Sequence, residues 1–289
     1  MAIPNIRLGS EAQVPVLAYG TGTTWIKQDG DSLDRKTIDG IKEAIELGYR
    51  HLDGAQYYGT EAELGQAIRE SGVPRSDFFI TTKAVSHVDV EGSLRESCRK
   101  LQTDHVDLYL IHEPFSATDE QDLQQTWADM EICLDKGLAR HIGVSNFLPT
   151  HLDSLVKTAR VKPAVNQIEL HPYLQRQKVI QYCRENGIVL QGFAPLTPFK
   201  VRAGPVDEIC SKLAERHGVS ESSILLRWVV DQGIIVITTS GQKTRLQQYL
   251  RELPNFVLSQ EEVQEIAAAG KAKSVRQFFA DGFGPDNFD

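Results

Sequence analysis

The chain has 289 residues, 41% of them hydrophobic and 24% charged, an ordinary globular composition that excludes disordered, collagenous and low-complexity classes. Lys plus Arg total 31 against 39 Asp plus Glu, a formal charge of -8 without a long run of either sign, so a nucleic-acid backbone is not the expected partner. A local cationic pocket for a small anion stays open, because pocket potential depends on where charges sit rather than on their sum.

The N-terminal stretch MAIPNIRLGSEAQ lacks a charged region followed by a long apolar one, and no segment approaches about 18 apolar residues. A soluble cytoplasmic protein without membrane contact is expected. After a hairpin-like start from Ile6 to Val16, short apolar runs alternate with amphipathic stretches. The runs are LAYG from Leu17, HLD from His51, FFITTK from Phe78, DLYLIH from Asp107, HIGVSN from His141, AVNQIE from Ala164, IVLQGF from Ile188 and IIVITTS from Ile234. Between them apolar residues recur every three or four positions: Ile38, Ile41 and Ile45; Leu94, Cys98 and Leu101; Leu123, Trp127, Met130 and Leu134; Leu152, Leu155 and Val156; Val263, Ile266 and Ala267. These spacings predict helices with one buried face. Breakers separate the elements at Gly48, Gly72, Pro74, Gly137, Pro149, Pro163, Gly187 and Gly233, and no Ser/Gly/Pro-rich linker divides the chain.

Strands alternating with helices need crossover connections and hence a parallel sheet, and runs such as DLYLI indicate strands covered on both faces. Eight repeats of about 30 residues predict an α/β fold, one closed (β/α)8 barrel domain over residues 1–289. The rival, an open doubly wound sheet, lacks its dinucleotide fingerprint, since GTGTTW places Trp25 where a third glycine is needed. Cys98, Cys133, Cys183 and Cys210 are far apart, without a CxxC pair, and are expected as reduced core residues. No HxH ends the first strand, so no metal is expected.

Reactive groups of such barrels lie at the C-terminal ends of the strands. Polar residues that end apolar runs are therefore candidates: Asp53, Lys83, His112, Ser145, Asn146, Gln167 and Thr238 to Ser240. Asp53, Lys83 and His112 end three consecutive strands, and Tyr58 can fold back over the same mouth. Each alone has an ordinary structural explanation, as a loop cap, an ion pair, a core histidine or a rim aromatic. Together a carboxylate, an ammonium, a phenol and an imidazole suit protonation of a carbonyl oxygen while a nucleophile reaches its carbon. The ammonium is expected to lower the phenol's pKa, Asp53 to hold Lys83, and His112 to orient the carbonyl. No side chain supplies hydride, so a cofactor is required.

These residues resemble the aldo-keto reductase superfamily along almost the whole chain. LDGAQYYGTE from Leu52 is similar to the family's Asp-Thr-Ala-x-x-Tyr-x-x-Glu pattern, which makes Tyr58 the proton donor and Asp53 its charge partner. ITTK supplies the family's lysine as Lys83, and DLYLIHEP its histidine as His112. GVSNF is similar to the nicotinamide carboxamide site, implying contacts from Ser145 and Asn146, with Gln167 of VNQIELHP as the third. Phe193 of GFAPL stands where the family has a stacking tyrosine, and the backbone from Ala194 to Leu196 is implied along the diphosphate. Where the family has Pro-Lys-Ser and an arginine five residues after that serine, this chain reads ITTSGQKTRLQQY. Ser240 and Arg245 match, Thr239 replaces the lysine, and Tyr249 stands near the adenine position. NADPH is the implied cofactor, since Arg245 can clamp a 2′-phosphate. Asp53, Thr23 and Thr24 complete the implied cofactor contacts.

Two departures bear on substrate. Glu113 and Val85 stand where many members carry wall tryptophans, so a less aromatic pocket with an acceptor at its edge is expected, lined also by Trp25 and Phe115. With GTGTTW and VITTS, this looks more like the fungal subgroup that reduces α-keto amides, ketopantoyl lactone and conjugated polyketones. The tail GKAKSVRQFFADGFGPDNFD resembles the family's C-terminal loop over the pocket, the alternative being a tail on the barrel exterior. The resemblance thus implies an NADPH-dependent carbonyl reductase, expected as a monomer or weak dimer, acting on a small carbonyl compound. Alternatives are an aldose or xylose type of aldehyde reductase, a Schiff-base aldolase built on Lys83 and a non-catalytic nucleotide-sensing subunit.

Overall fold

In chain order the elements are β1 (Asn5–Leu8), β2 (Ala12–Pro15), β3 (Leu17–Gly20), α1 (Arg35–Leu47), β4 (His51–Asp53), α2 (Glu61–Ser71), β5 (Phe79–Ala84), α3 (Val90–Leu101), β6 (Val106–Ile111) and α4 (Glu120–Asp135). They continue with β7 (Ala139–Ser145), α5 (Pro149–Val156), β8 (Val165–Glu169), α6 (Gln177–Glu185), β9 (Val189–Phe193), α7 (Thr197–Lys200), α8 (Val206–His217), α9 (Glu221–Val230), β10 (Ile235–Thr238), α10 (Lys243–Glu252), α11 (Gln260–Gly270) and α12 (Ala280–Phe283). This computed structural model describes residues 4–9, 12–27, 32–85, 87–201, 203–284 and 287. Strands β3 to β10 pair in parallel and close into a barrel, with β10 returning to β3. All eight apolar runs named from the sequence are barrel strands, and the hairpin-like start is the antiparallel pair β1–β2.

The alternation of side chains along a strand sorts residues into two cores. Leu108, Leu110, Phe79, Val165 and Ile235 point into the barrel and pack with Leu8 and Val14 of the hairpin, which plugs the N-terminal end. Their neighbours Tyr109, Ile80, Ile168 and Val236 point outward against the helices. With the lower interior filled by apolar groups, the next inward positions up each strand are left for the opposite mouth.

The helices follow local rules. Asp34 caps α1 by accepting from the backbone N–H groups of Lys36 at 3.1 Å and Thr37 at 3.3 Å, and Gly48 ends it at φ 114. The five segments with named apolar spacing are α1, α3, α4, α5 and α11. Helix α9 carries no such stripe because it is buried from Ser223 to Val230, wedged between the barrel and α8. The repeat is also uneven: α7, α8 and α9 all lie between β9 and β10. All four cysteines are buried, as expected of core residues, and none of them is in a disulfide. Among the described residues no helix is long and apolar enough to cross a membrane, and no cluster of His, Cys, Asp and Glu is arranged to hold a metal ion.

Candidate active site

Asp53, Lys83, Ser145 and Gln167 occupy the upper inward positions of β4, β5, β7 and β8, and His112 immediately follows β6. Register places Asp53 beside Thr81, Lys83 beside Leu110 and Ser145 beside Gln167. The Lys83 ammonium donates to Asp53 Oδ1 at 2.6 Å and to the Gly54 carbonyl at 2.7 Å, in a fully buried pair. Asp53 Oδ2 accepts from Gln167 Nε2 at 2.8 Å, and the same amide donates to Gln191 Oε1 at 2.8 Å.

Tyr58 reaches this group from a 3-10 turn, Gln56–Tyr58, whose exit needs Gly59 at φ 67. Its ring lies 5.1 Å from Lys83 Nζ and 5.7 Å from the His112 ring, edge on. From the other side, the backbone at Gly22 comes so close that a methyl group there would sit 3.0 Å from Tyr58 Cζ. The Lys27 N–H donates to the Tyr58 carbonyl at 3.0 Å, tying the β3–α1 loop to the turn. The three residues singled out from strand ends, Asp53, Lys83 and His112, are therefore brought together with Tyr58.

Their electrostatics differ in one respect from the sequence expectation. Burial pushes the Tyr58 hydroxyl above its ordinary pKa, and this outweighs the opposing pull of Lys83. The phenol is thus held protonated, as a proton donor must be, and the ammonium's favour emerges as the proton leaves. Burial also presses Lys83 downward, but the negative charges of Asp53 and of an ionising Tyr58 prevail and raise it. Burial, aided by repulsion from Lys83, holds His112 down to about 3, so its ring is neutral at physiological pH and donates from one nitrogen only.

On the expected cofactor side, Asn146 adopts φ 63 and donates to the His112 carbonyl and to Ser145 Oγ, each at 3.0 Å. Ser145 Oγ donates to the Gln167 carbonyl at 2.9 Å. Phe193 ends β9 half-buried, followed by Ala194 at φ 56 and a turn through Leu196 into α7. Near the N-terminus of α10 Ser240 is buried, the Thr239 hydroxyl is buried without a partner, and Arg245 is exposed with no ion pair among the described residues. Thr23 and Thr24 are exposed on the loop after β3. Tyr249 departs from expectation: it is only 2% exposed and sits in the helix-covered core, so packing rather than contact with a base uses its ring.

The substrate side needs three corrections. Trp25 is not a pocket wall; its Nε1 donates to Tyr19 Oη at 2.7 Å, and its ring lies so close to α1 that a methyl on Gly40 would be 2.5 Å from it. Glu113 is not an acceptor at the pocket edge. Its carboxylate folds back onto the following turn, accepting from the backbone N–H of Phe115, from that of Ser116 at 3.0 Å and from the Ser116 hydroxyl. The pocket is not poor in aromatics either, because the tail supplies them. Phe279 packs 6.0 Å from the His112 ring and 6.1 Å from Phe115, Phe283 packs 4.7 Å from Phe115, and Phe278 lies 5.5 Å from Phe193. The tail therefore covers the mouth, as the resemblance implied. Val85 alone of the proposed walls stands open at the rim, 43% exposed.

Several supporting residues escaped the sequence reading. Gln56, the first residue of the turn that carries Tyr58, accepts from the Val85 N–H at 3.2 Å and donates to Ser97 Oγ at 3.0 Å, fixing the turn to the end of β5 and to α3. Glu61 accepts from Thr82 at 2.6 Å, and burial raises its pKa. Glu169, two residues beyond Gln167 on the inward face of β8, binds the tail. Alternation along β8 could have flagged it as inward, but its partners lie more than a hundred positions away.

Against known proteins, the model of the Aldo/keto reductase family matches residues 16–271. An NAD/NADP-dependent indole-3-acetaldehyde reductase of Schizosaccharomyces pombe is 38% identical, aligned over 92% of this chain and 95% of its own. An NADPH-dependent alpha-keto amide reductase of Saccharomyces cerevisiae is 35% identical over 91% of this chain and 89% of its own. Among solved structures, an aldo-keto reductase of Bombyx mori in complex with NADP superposes with a TM-score of 0.85 at 33% identity, covering 97% of each chain.

Proposed function

The chain belongs to the aldo/keto reductase family and is an NADPH-dependent carbonyl reductase; from that premise we propose that Tyr58 is its proton donor and that neutral, activated 1,2-dicarbonyls are its preferred substrates. The observation that carries the proposal is the buried Asp53–Lys83 pair set beneath a protonated Tyr58, opposite a neutral His112. His112 donates to the carbonyl oxygen and holds it for Tyr58, which gives up its proton as charge builds on that oxygen. Lys83 then stabilises the phenolate, and Asp53 keeps the ammonium charged in a site that burial would otherwise neutralise. When bound, NADPH supplies the hydride.

The donor set fits that cofactor. An unpartnered Thr239 hydroxyl beside Ser240 and an exposed Arg245 guanidinium suit a dianionic 2′-phosphate, with Thr23 and Thr24 on the neighbouring loop. At the other end Ser145, Asn146 and Gln167 offer amide and hydroxyl groups to a carboxamide, and Phe193 presents a half-buried aromatic face for stacking. The 289 residues act as one barrel domain in this reading.

For substrate class, the rings around His112 are those of Tyr57, Tyr58 and Phe279, all uncharged, and Glu113 has both oxygens engaged. Nothing in that set would hold the carboxylate of a free α-keto acid. An α-keto amide, an α-keto ester or ketopantoyl lactone brings an activated carbonyl without charge. The likeness to the yeast alpha-keto amide reductase supports this class. A second reading, an aryl-substituted aldehyde, is favoured by the tail's aromatic cover and by the likeness to the indole-3-acetaldehyde reductase.

A panel of carbonyl compounds with NADPH and with NADH, followed by loss of reduced-nicotinamide absorbance, tests both readings. Highest kcat/KM for α-keto amides or esters supports the first, and aryl aldehydes the second. Preference for aldoses would defeat both, and preference for NADH would overturn the cofactor assignment.

A further inference from the structure

The backbone of the tail that covers the mouth is fastened to the barrel by a buried carboxylate, while the Gln277 side chain donates to Thr197 Oγ1 and accepts from Lys200 Nζ at 3.1 Å. Glu169 Oε1 accepts from the backbone N–H of Gln277 at 2.9 Å, and Oε2 from that of Phe278 at 3.1 Å. His171 Nε2 adds a contact to Oε1 at 2.9 Å. Burial keeps the His171 ring neutral, and its Nδ1 has no partner among the described residues, so Nε2 is the protonated, donating nitrogen. Glu169 is 2% exposed and sits on the same inward face of β8 as Gln167. The two N–H groups it receives belong to an irregular segment without a sheet or helix partner of its own, and each would otherwise be left unpaired.

Beyond the clamp the tail reaches the reacting groups. Phe278 meets Phe193, and Phe279 meets His112. Phe279 is held at φ 56, a left-handed conformation that costs a non-glycine residue energy and persists only where its surroundings impose it. Farther along, the Arg276 guanidinium lies 4.0 Å from the centre of the Phe283 ring, which closes the tail on itself. Residues before the clamp are also fixed, since the Val275 N–H donates to the Tyr173 carbonyl at 3.1 Å.

We propose that Glu169 is a positioning residue for the carbonyl substrate: its carboxylate clamps the backbone of Gln277 and Phe278 and so seats Phe279 over His112. Glu169 touches neither substrate nor cofactor and sets substrate affinity through the seated tail. The inference rests on the reading of Tyr58 and His112 as the reacting end of the site. Its structural half is independent of turnover, because the two clamped amides can be watched directly.

The test uses the full-length protein and two variants. Glu169→Gln leaves one acceptor where two N–H groups and an imidazole compete. Gln277→Pro deletes one clamped N–H together with the Gln277 side-chain bonds to Thr197 and Lys200, and Gln277→Ala, which loses only those side-chain bonds and keeps the N–H, is its control. Hydrogen exchange by mass spectrometry is read on the peptide covering 272–284. Steady-state kinetics use NADPH and a neutral aryl α-keto ester, ethyl benzoylformate. In Glu169→Gln and Gln277→Pro, exchange of the tail should rise about tenfold or more, and KM for the ester about tenfold, the scale of a lost charge-assisted hydrogen bond. The NADPH dissociation constant should stay within about twofold and kcat should not fall, a split that general loss of folding does not produce. Tail exchange in Gln277→Ala should rise by clearly less than in Gln277→Pro, and an equal rise in the two overturns the clamp. Unchanged tail exchange in Gln277→Pro, or looser tail with an unchanged KM, overturns the proposal. If the parent reduces no carbonyl at all, the functional reading fails, while the exchange result still judges the clamp.

Discussion

Asp53→Asn is the most telling perturbation of the site, because both oxygens of this side chain are committed. Oδ1 takes the Lys83 ammonium at 2.6 Å and Oδ2 the Gln167 amide at 2.8 Å. Asparagine keeps the shape and replaces one acceptor with two N–H donors. With Lys83 and Gln167 unchanged, one donor then faces another in either orientation. Turning over both Gln167 and Gln191 relieves that conflict, since the Gln191 Nε2 has no partner to lose among the described residues. What no rearrangement restores is the countercharge of an ammonium that is wholly buried.

Breaking a buried pair in this way costs about 3–5 kcal/mol, and the surviving bond from Lys83 to the Gly54 carbonyl at 2.7 Å places the loss toward the lower end. At about 2–4 °C per kcal/mol, the melting temperature should fall by roughly 6–12 °C. Lys83 should also release its proton more readily, leaving Tyr58 without its cation. Turnover should then drop by about a hundredfold, the scale of general acid catalysis, and the drop should deepen as pH rises above neutrality. Thermal melting by circular dichroism and kcat between pH 6 and 9 provide the measurements. A variant that melts within about 2 °C of the parent and keeps its kcat and pH profile would refute the countercharge argument.

Removing the hydroxyl in Tyr58→Phe should cost at least about a hundredfold in kcat while NADPH affinity by fluorescence quenching barely moves; near-parental turnover removes Tyr58 from the mechanism. Arg245→Ala should raise the NADPH dissociation constant by about one to two decades and leave that of NADH unchanged, whereas equal loss for both would make Arg245 a structural residue. Because His112 is held near a pKa of about 3, kcat should show no limb from this ring between pH 5 and 7. The depressed pKa also means that the unfolded chain binds the extra proton first, so stability is lost as pH falls from about 6.5 toward 3. Denaturant midpoints of His112→Gln should therefore fall less steeply with acid than those of the parent, and parallel slopes would contradict the assignment.

The barrel was legible because its determinants are local. DLYLIH and IIVITTS are apolar on both faces, and the breakers Gly48, Gly72, Gly137, Gly187 and Gly233 all adopt positive φ where the chain turns between elements. Asp53, Lys83 and His112 were legible for a related reason, since a polar residue at the top of an apolar strand has one place to go. Helix α9 was not, as full burial erases the stripe that marks a helix. Trp25 shows the limit of reading by neighbourhood. It lies three residues past Gly22, which touches Tyr58, yet its ring turns away to fill the space left by Gly40. Which side a loop residue faces depends on a glycine in another element, and no spacing rule reports that.

Glu113 and Glu169 put the same limit in terms of backbone donors. Both are carboxylates at the top of barrel strands, and sequence reading gave a pocket role to the first and none to the second. A carboxylate in that position goes to the nearest unpaired N–H groups, because leaving those groups bare costs more than any single contact returns. Glu113 finds them two and three residues ahead, at Phe115 and Ser116, in a turn that Pro114 helps to form. Its fate was therefore written locally, and attention to that turn would have withdrawn it from the pocket. Glu169 finds its donors 108 and 109 positions away, in a tail with no periodicity of its own. The tail's path is in turn set by the clamp, so neither partner can be placed without the other. Glu169 is thus hidden from the sequence by the joint placement of clamp and tail, whereas Asp53, Lys83 and His112 are announced by strand ends that each run of apolar residues marks by itself.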